Sequence, residues 1–367
     1  MNNDVLLEPQ RLTSPTVKVR RLGYLIVIPL IVQDKEIPIS ALKKSVLDWA
    51  KENHTFFKHY SIDLPVRRLK KRLLTGEIKT LSGAGRYINT CEELGLIVRM
   101  KGFRVSKIGK AISALSTDGN PFELSIGQLF LILKLLLEKD YDCLSILFKI
   151  LSTKVRDETD FFQKEMERKL HEKAEKATEM NKLYLVDRLR KRIESIRNWK
   201  KARRYYLENI KAPRLEWMLD LKFLKHWDQR TDTFDFQNHV ERFFNMGIIS
   251  YEWLQDGIPP IFGDFYYDLF KKGITYWTNF PREDRLGLLN DILTESMEKF
   301  KTGAELGKIS ADEFFEYSLA FLIQKKSIVT SLSKLEKDLV DFITSGKLQY
   351  RYVRTVSKAD RGYITKL

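Results

Sequence analysis

The stretch that decides the fold is residues 67–115, which read RRLKKRLLTGEIKTLSGAGRYINTCEELGLIVRMKGFRVSKIGKAISAL. A basic amphipathic segment leads into a Ser-Gly-Ala-Gly turn at residues 82–85, and a short helix follows that turn. Two short strands come next, joined by a turn at Lys101-Gly102, and Ser106 opens another helix. The predicted order is therefore helix, glycine-bearing turn, helix and two-stranded ribbon.

Composition places the chain among basic globular proteins. Its 367 residues include 64 Lys and Arg against 49 Asp and Glu, a net charge of +15, and 43% are hydrophobic. That hydrophobic fraction is too high for a disordered chain. The positive charge favours a polyanionic partner, because each phosphate that a Lys or Arg neutralises releases condensed counterions. The alternative is a basic surface that only keeps the protein in solution.

Cysteine usage and apolar runs indicate the compartment. Cys91 and Cys143 are too few for a disulfide framework or a cysteine-based zinc site, and the first ten residues lack the pattern of a secretory signal. The apolar runs Leu22–Val32 and Ile126–Leu137 are shorter than the ~20 residues that span a bilayer. The first run, within Val17–Val32, is interpreted as a strand and the second as a buried helix. A cytoplasmic protein with no membrane partner is therefore expected.

The predicted fold class is mainly α: a multi-domain helical protein with a long basic central helix and a C-terminal β-hairpin. Changes in composition divide the chain into five segments. These are an N-terminal arm or strand at 1–40, the helix–turn–helix–ribbon domain with a helical extension at 41–155, a long charged helix or helical pair at 156–211, an α-rich aromatic domain at 212–345, and a basic β-hairpin at 346–367.

Apolar spacing near 3.6 residues and polar cap residues predict individual helices. The second segment is expected to contain Ala41–Glu52 with Ser40 as N-cap, Ile126–Glu138 capped by Ser125, and Cys143–Leu151. In the fourth segment, Ser310 and Glu313 are expected to form a capping box. The many aromatic residues of that segment are interpreted as core rather than as a cofactor site.

Residues 157–211 contain neither Gly nor Pro, which predicts one long helix or a helical pair. The C-terminal half carries many cations and few acids: Arg188, Arg190, Lys191, Arg192, Arg197, Lys200, Lys201, Arg203 and Arg204. No helix needs that asymmetry, because like charges four residues apart are destabilising. Trp199, Tyr205 and Tyr206 lie among them, as in surfaces that hold a phosphate backbone and stack bases. A solvated helix and a contact for an acidic protein remain alternatives.

The C-terminal tail again has the order helix, strand, basic turn and strand. The strands are expected within Leu348–Val356 and Arg361–Leu367. A plain β-hairpin, which could pair with Val17–Val32, is favoured over a second helix–turn–helix–ribbon, because the upstream helices lack the required turn.

Catalytic signatures are sparse. No GxxxxGK[ST] phosphate loop, H-E-x-x-H pattern or nucleophile elbow occurs. Acid-x-Lys triplets at Glu77–Lys79 and Asp220–Lys222 are expected by chance when 31% of residues are charged, and His54 and His59 are poorly spaced for two metal ligands. No catalytic residue, metal or cofactor is predicted. A divergent metal-dependent nuclease remains an alternative.

Residues 40–115 carry the pattern G-x-G-R-Y-I-N-x-C-x-E-L-G-L-I followed by G-F-x-V-S-x-I-G-K. This pattern resembles the winged helix-turn-helix domains of prokaryotic DNA-binding, restriction and phage-defence proteins. The resemblance implies that the second helix enters the major groove and that the wing touches a neighbouring backbone or minor groove. It makes Ser82, Arg86, Tyr87, Asn89 and Thr90 candidate base or phosphate readers and Arg99, Lys101, Arg104 and Lys107 wing contacts. The chain departs from the pattern at Pro65–Thr80, which runs long before the turn, so Arg67, Arg68, Lys70 and Lys71 are expected on a separate basic helix.

The sequence thus predicts a non-catalytic protein that binds nucleic acid, duplex DNA rather than RNA, through a winged helix and a basic central helix. Analogy of fold suggests a recognition subunit of a prokaryotic defence or DNA-processing complex. Many winged helices bind protein instead. The alternative is therefore a scaffold or adaptor subunit that binds protein partners through the same surfaces.

Overall fold

The structure is a computed structural model that describes residues 7–9, 11–13, 19–33, 35–56, 77–117, 119–153, 158–198, 203–226, 229–230, 256–266, 270, 273–300, 307–355 and 360–367. The protein is mainly α-helical and multi-domain, which confirms the predicted fold class. Within these ranges, no helix combines the length and the apolar character that crossing a membrane requires.

The chain forms two compact units, each assembled from three separate stretches of sequence. The first unit consists of Met1–Leu25, Lys43–Leu94 and Leu133–Leu254, and the second of Ile26–Leu42, Gly95–Ile132 and Gln255–Leu367. The division into five consecutive segments stays a prediction.

The elements follow one another along the chain with short strands between helices. The helices are α1 (Gly23–Val32), α2 (Ile39–Glu52), α3 (Leu81–Leu94), α4 (Lys107–Ser113), α5 (Ile126–Thr153), α6 (Glu158–Glu179), α7 (Leu183–Arg197), α8 (Arg203–Asp220), α9 (Ile258–Phe265), α10 (Arg282–Lys299), α11 (Ala311–Phe321) and α12 (Leu332–Thr344). The strands are β1 (Ile97–Arg99), β2 (Phe103–Val105), β3 (Leu224–His226), β4 (Gln229–Arg230), β5 (Thr275–Tyr276), β6 (Lys308–Ser310), β7 (Ile328–Val329), β8 (Tyr350–Val353) and β9 (Tyr363–Lys366).

The strands form small sheets. β1 pairs with β2 and β3 with β4 in antiparallel fashion, and β5 runs parallel to β7. In the second unit, β9 lies between β6 and β8 in an antiparallel sheet. The predicted C-terminal hairpin is therefore confirmed as β8–β9, and β6 extends it to three strands.

The prediction of a strand within Val17–Val32 is wrong. Gly23–Val32 is a helix that includes Pro29, and its side chains from Tyr24 to Ile28 are all buried. An apolar run that is buried on every side lacks the alternation that separates a strand from a helix, so β-branched content is a misleading guide. The suggested pairing of the C-terminal hairpin with this segment is wrong for the same reason, since β9 pairs with β6.

Residues 82–85 are helical, contrary to the predicted turn. Thr80 caps α3, because its hydroxyl accepts a hydrogen bond from the Gly83 N–H at 3.1 Å. Gly83 and Gly85 are buried, and a Cβ at Gly85 would lie 2.9 Å from Cε of Lys43. Gly85 therefore serves the close approach of a neighbouring side chain and not a turn.

The predicted ribbon and two of the predicted caps are confirmed. β1 and β2 pair across the turn at Lys101-Gly102. Ser106 caps α4 by accepting from the Gly109 N–H at 3.0 Å. Ser125 caps α5, because its hydroxyl accepts a hydrogen bond from the Gln128 backbone N–H. In return, the side-chain oxygen of Gln128 accepts a hydrogen bond from the Ser125 N–H.

Other predicted boundaries differ from the structure. α2 begins at Ile39, so Ser40 lies inside the helix and is not its cap. The two helices expected between residues 126 and 151 are confirmed: Ile126–Thr153 (α5) consists of two helical segments joined at a kink, where the Asp140 backbone is not helical (φ −135°, ψ 19°). The capping box of α11 is half formed: the Glu313 carboxylate accepts from the Ser310 N–H, but the Ser310 hydroxyl makes no capping bond.

The helical pair expected between residues 157 and 211 is present as α6 and α7. The Gln163 side chain donates to the Ile196 carbonyl at 2.9 Å, which joins the start of α6 to the end of α7 and makes the hairpin antiparallel. Its interior consists of apolar side chains from both helices: Met166, Leu170, Ala174, Ala177, Val186, Leu189, Ile193 and Ile196. Leu183 lies at the tip of the hairpin and is 69% exposed.

The core of the first unit also contains buried ion pairs. Arg214 of α8 and Asp140 of α5 are both fully buried, with 2.8 Å between Nη2 and Oδ1 and a second contact through Nε. Further buried pairs are Arg21–Asp220 at 2.9 Å, Arg20–Glu216 at 2.5 Å and Lys173–Asp142 at 2.6 Å. Charges tolerate burial only when they are paired, so these contacts fix how the segments of the unit pack.

Candidate nucleic-acid interface

α3 presents a polar face on an otherwise buried helix. Ser82, Arg86 and Asn89 are spaced by four and three residues, which places them on one face. Ser82 and Arg86 are exposed and Asn89 is half-buried, and Arg86 has no acidic partner among the residues that the structure describes. One turn further on, Glu93 accepts a hydrogen bond from the Thr13 N–H at 2.9 Å. The accessible part of the face therefore runs from Ser82 to Asn89.

Tyr87 and Thr90 are wrongly predicted as readers. Tyr87 is fully buried, and its hydroxyl accepts from the backbone N–H groups of Arg20 at 2.9 Å and Arg21 at 3.0 Å. Burial raises the pKa of Tyr87 far above its usual range. Thr90 is buried as well, and its hydroxyl donates to the Arg86 carbonyl. Tyr87 directly follows Arg86 and Thr90 directly follows Asn89, a rotation of ~100° that carries each to the inner side of the helix.

Lys43 of α2 lies against the accessible face of α3. A Cβ at Gly85 would lie 2.9 Å from Cε and 3.5 Å from Nζ of Lys43. The absence of a side chain at Gly85 therefore leaves room for the end of the lysine side chain against α3. Lys43 is half-buried, and no acidic group pairs with it in the described part of the chain. The sequence offers no signal for this residue, because its contact with Gly85 arises only when α2 packs on α3.

The predicted wing cations Arg104 and Lys107 are neutralised within the second unit. Nη2 of Arg104 lies 2.7 Å from Oε2 of Glu36. Nζ of Lys107 lies 3.2 Å from a carboxylate oxygen of Asp312 and 3.2 Å from one of Asp360. Both side chains are partly exposed, but a phosphate would have to compete with these carboxylates for them.

The turn of the ribbon carries the other two predicted wing cations. Arg99 is exposed and its guanidinium lies 4.9 Å from the centroid of the Phe103 ring. Lys101 is exposed and has no acidic partner within the described ranges. The Gly102 N–H donates to Glu36 at 2.7 Å and, with the Arg104 guanidinium, lowers the pKa of that carboxyl group. The turn is thus held to the segment before α2, and Lys101 points to solvent.

The outer side of α7 contains both paired and unpaired cations. Arg188 lies 2.7 Å from Glu8, and Arg197 lies 2.5 Å from Glu167. Arg190 and Lys191 are exposed, and neither makes an ion pair with any residue that the structure describes. Arg192 is half-buried. The remaining predicted contacts Arg67, Arg68, Lys70, Lys71 and Lys200 lie outside the described residues, and Arg203 and Arg204 open α8.

No family model, curated protein or solved structure matches this chain. Function is therefore inferred from the geometry and charge of these surfaces alone.

The acids of the two acid-x-Lys triplets are engaged in contacts within the first unit. Oε1 of Glu77 lies 2.5 Å from Nδ1 of His54, and its other oxygen lies 3.0 Å from Lys79. Asp220 pairs with Arg21 in the core. Within the described ranges, no three His, Cys, Asp or Glu side chains are grouped so as to hold a metal ion, and His59 lies outside those ranges.

Proposed function

We propose that the protein binds double-stranded DNA through the exposed face of α3, without catalysing a reaction. The observation that carries the proposal is the accessible set of Ser82, Arg86 and Asn89, in which the arginine has no acidic partner. An asparagine on such a face can pair with adenine in the major groove, a contact worth about 1–3 kcal/mol, and an arginine without an acidic partner can contact a base or a backbone phosphate. A duplex is favoured over a single strand because the aromatic ring of α3, Tyr87, is buried and offers no stacking platform.

Two further surfaces are proposed to hold phosphates. One is the turn of the β1–β2 ribbon with Lys101, which would act as a wing, and the other is the outer side of α7 with Arg190 and Lys191. These cations are available for counterion exchange because they have no carboxylate partner in the described part of the structure. Arg104 and Arg197 would first have to break their ion pairs with Glu36 and Glu167.

A reducing cytoplasm and a recognition role in a prokaryotic DNA-processing or defence complex belong to the same proposal. The cytoplasm is supported by Cys91 and Cys143, which are buried free thiols. Burial raises the pKa of both and suppresses the reactive thiolate. The complex is supported only by the resemblance of α3 and the ribbon to winged helices.

The test is fluorescence anisotropy of the full-length protein with labelled duplex and single-stranded DNA and RNA across a salt series. We expect duplex binding that Arg86→Gln weakens. The double change Arg190→Gln/Lys191→Gln should reduce the slope of log affinity against log salt by about 1.8, since each lost phosphate contact contributes about 0.9.

The control is Arg168→Gln, which removes one positive charge from the same hairpin, where the α7 variant removes two. Arg168 is held by Glu165 and Glu172 and should not contribute to the slope. Absence of duplex affinity at low salt, or a slope that responds equally to the control and to the α7 variant, would contradict the proposal.

A second candidate function, a scaffold for a protein partner, is favoured by the tip of the α6–α7 hairpin. Met180, Leu183 and Tyr184 expose 42%, 69% and 54% of their surface within five residues of sequence. Apolar side chains grouped at the end of a charged arm are typical of a protein contact. Leu183→Ser/Tyr184→Ser should abolish co-purification of a partner and leave DNA affinity unchanged if the tip binds protein. Loss of DNA affinity instead would assign the tip to the nucleic-acid surface.

A further inference from the structure

We infer that Lys43 and Arg86 form a phosphate-binding site at the start of α3. The ligand is a phosphate group of the duplex backbone, and in this respect the inference rests on the proposed function. It adds a contact on α2, outside the winged-helix pattern of α3 and the ribbon, and it names the group that this part of the surface binds.

The geometry that brings the two cations together is the packing of α2 on α3 at Gly85. Nζ of Lys43 lies 3.5 Å from the position that a Cβ of Gly85 would occupy. Gly85 precedes Arg86 directly and follows Ser82 by three residues, so the ammonium lies at the edge of the face that carries the guanidinium and the Ser82 hydroxyl. The sequence spacing and this packing thus place the three donor side chains along the same edge of α3, where each can donate a hydrogen bond to an anion.

The electrostatics of this position favour an anion. Lys43 is half-buried, its alkyl chain lies on α3, and its ammonium lies near the helix position that directly precedes Arg86. Among the residues that the structure describes, neither Lys43 nor Arg86 has an acidic partner. Glu93, on the same face of α3, is engaged by the backbone and hydroxyl of Thr13. Two neighbouring like charges without a counter-ion repel each other in the free protein, and a bound phosphate removes that repulsion.

The direct test compares the salt dependence of duplex binding for four single variants of the full-length protein. Lys43→Met removes the charge and keeps the apolar contact with Gly85. Lys44→Met removes the same charge one residue away, from an exposed lysine that has no acidic partner in the described part of the chain.

Gly85→Ala keeps every charge but places a methyl group 2.9 Å from Cε of Lys43, so the end of the flexible lysine side chain has to move away from its present place on α3. Gly83→Ala is its control, since the nearest atom to that methyl is the Thr80 hydroxyl oxygen at an ordinary 3.5 Å. Helix propensity favours alanine at both positions, so the fold should persist.

We expect Lys43→Met to lower the salt slope by about 0.9, with Gly85→Ala acting in the same direction and both controls remaining at the wild-type value. Equal slopes for Lys43→Met and Lys44→Met would overturn the inference and leave the proposed function intact. If the wild type binds no duplex, the proposed function is wrong. The phosphate site is then tested separately, by measuring the melting temperature with and without inorganic pyrophosphate. A phosphate site is supported if pyrophosphate raises the melting temperature of the wild type and of the control Lys44→Met, but not that of Lys43→Met. The inference is overturned if the melting temperatures of both variants rise, or if that of the wild type does not rise.

Discussion

The buried pair of Arg214 and Asp140 gives the sharpest prediction for stability. Asp140→Asn keeps the shape of the side chain and removes its charge, so a fully buried guanidinium would lose its counter-ion. Burial alone would lower the pKa of Arg214, and the Asp140 carboxylate outweighs that effect. Breaking a buried pair from one side costs about 3–5 kcal/mol.

The structure supports a value within that range. Besides the two contacts with Asp140, the guanidinium donates to the carbonyls of Ile210 at 2.7 Å and Leu12 at 3.1 Å, and these bonds survive the change. The Leu12 N–H donates to Oδ1 of Asp140, which an asparagine oxygen can replace. The change removes the charge and, because an amide has a single acceptor oxygen, also the hydrogen bond from Nε of Arg214, so we expect Asp140→Asn to lower the free energy of unfolding by about 3 kcal/mol.

The assay is urea denaturation of the full-length protein followed by circular dichroism. Lys164→Met is the control, because Lys164 and Asp160 form an ion pair on the surface, where such pairs contribute about 0–1 kcal/mol. Arg214→Met/Asp140→Leu should cost less than the sum of the two single changes, since no charge is left unpaired. A loss below about 1 kcal/mol for Asp140→Asn would refute the reasoning, because the guanidinium would then have found water or another anion.

Two further predictions concern the cores. Burial raises the pKa of Glu216 from 4.5 to about 7, and Arg20, which reduces the effect, does not cancel it. The folded protein therefore binds this proton more tightly than the unfolded chain does. The free energy of unfolding should fall by at most about 3 kcal/mol as pH rises from about 4.5 to about 7, and then level off. Glu216→Gln should remove this pH dependence in unfolding titrations. Gly109→Ala would place a methyl group 2.1 Å from the Leu96 carbonyl oxygen, which is backbone and cannot give way, so we expect it to lower the melting temperature, and a melting temperature equal to the wild type would contradict this packing.

Local patterns were sufficient where the signal lies in neighbouring residues. The absence of Gly and Pro from residues 157–211 predicts the α6–α7 pair, and the glycine-bearing turn at Lys101-Gly102 predicts the ribbon. Ser106 caps its helix through a bond to a residue only three positions away, which is why the sequence reveals it. In each case the partners that stabilise the element are close in sequence.

The errors occur where a distant partner decides. α1 is helical although its apolar run has no periodicity, because burial on every side gives the sequence no polar face to reveal. Gly85 is predicted as a turn residue, because the sequence does not show that Lys43 packs on it. Tyr87 is predicted to contact bases. The prediction is wrong because its hydroxyl accepts hydrogen bonds from the backbone N–H groups of Arg20 and Arg21, more than 60 positions away in the sequence.

The interleaved composition of the two units affects folding during synthesis. The first unit includes residues up to Leu254 and the second includes residues up to Leu367, so the N-terminal stretches of both leave the ribosome long before their units are complete. The nascent α1 segment, apolar from Tyr24 to Ile28, has to remain without its final neighbours during that time. Exposed apolar segments of this kind are what chaperones bind and what aggregates when chaperones are scarce. The yield of folded protein should therefore depend on the rate of translation and on chaperone supply.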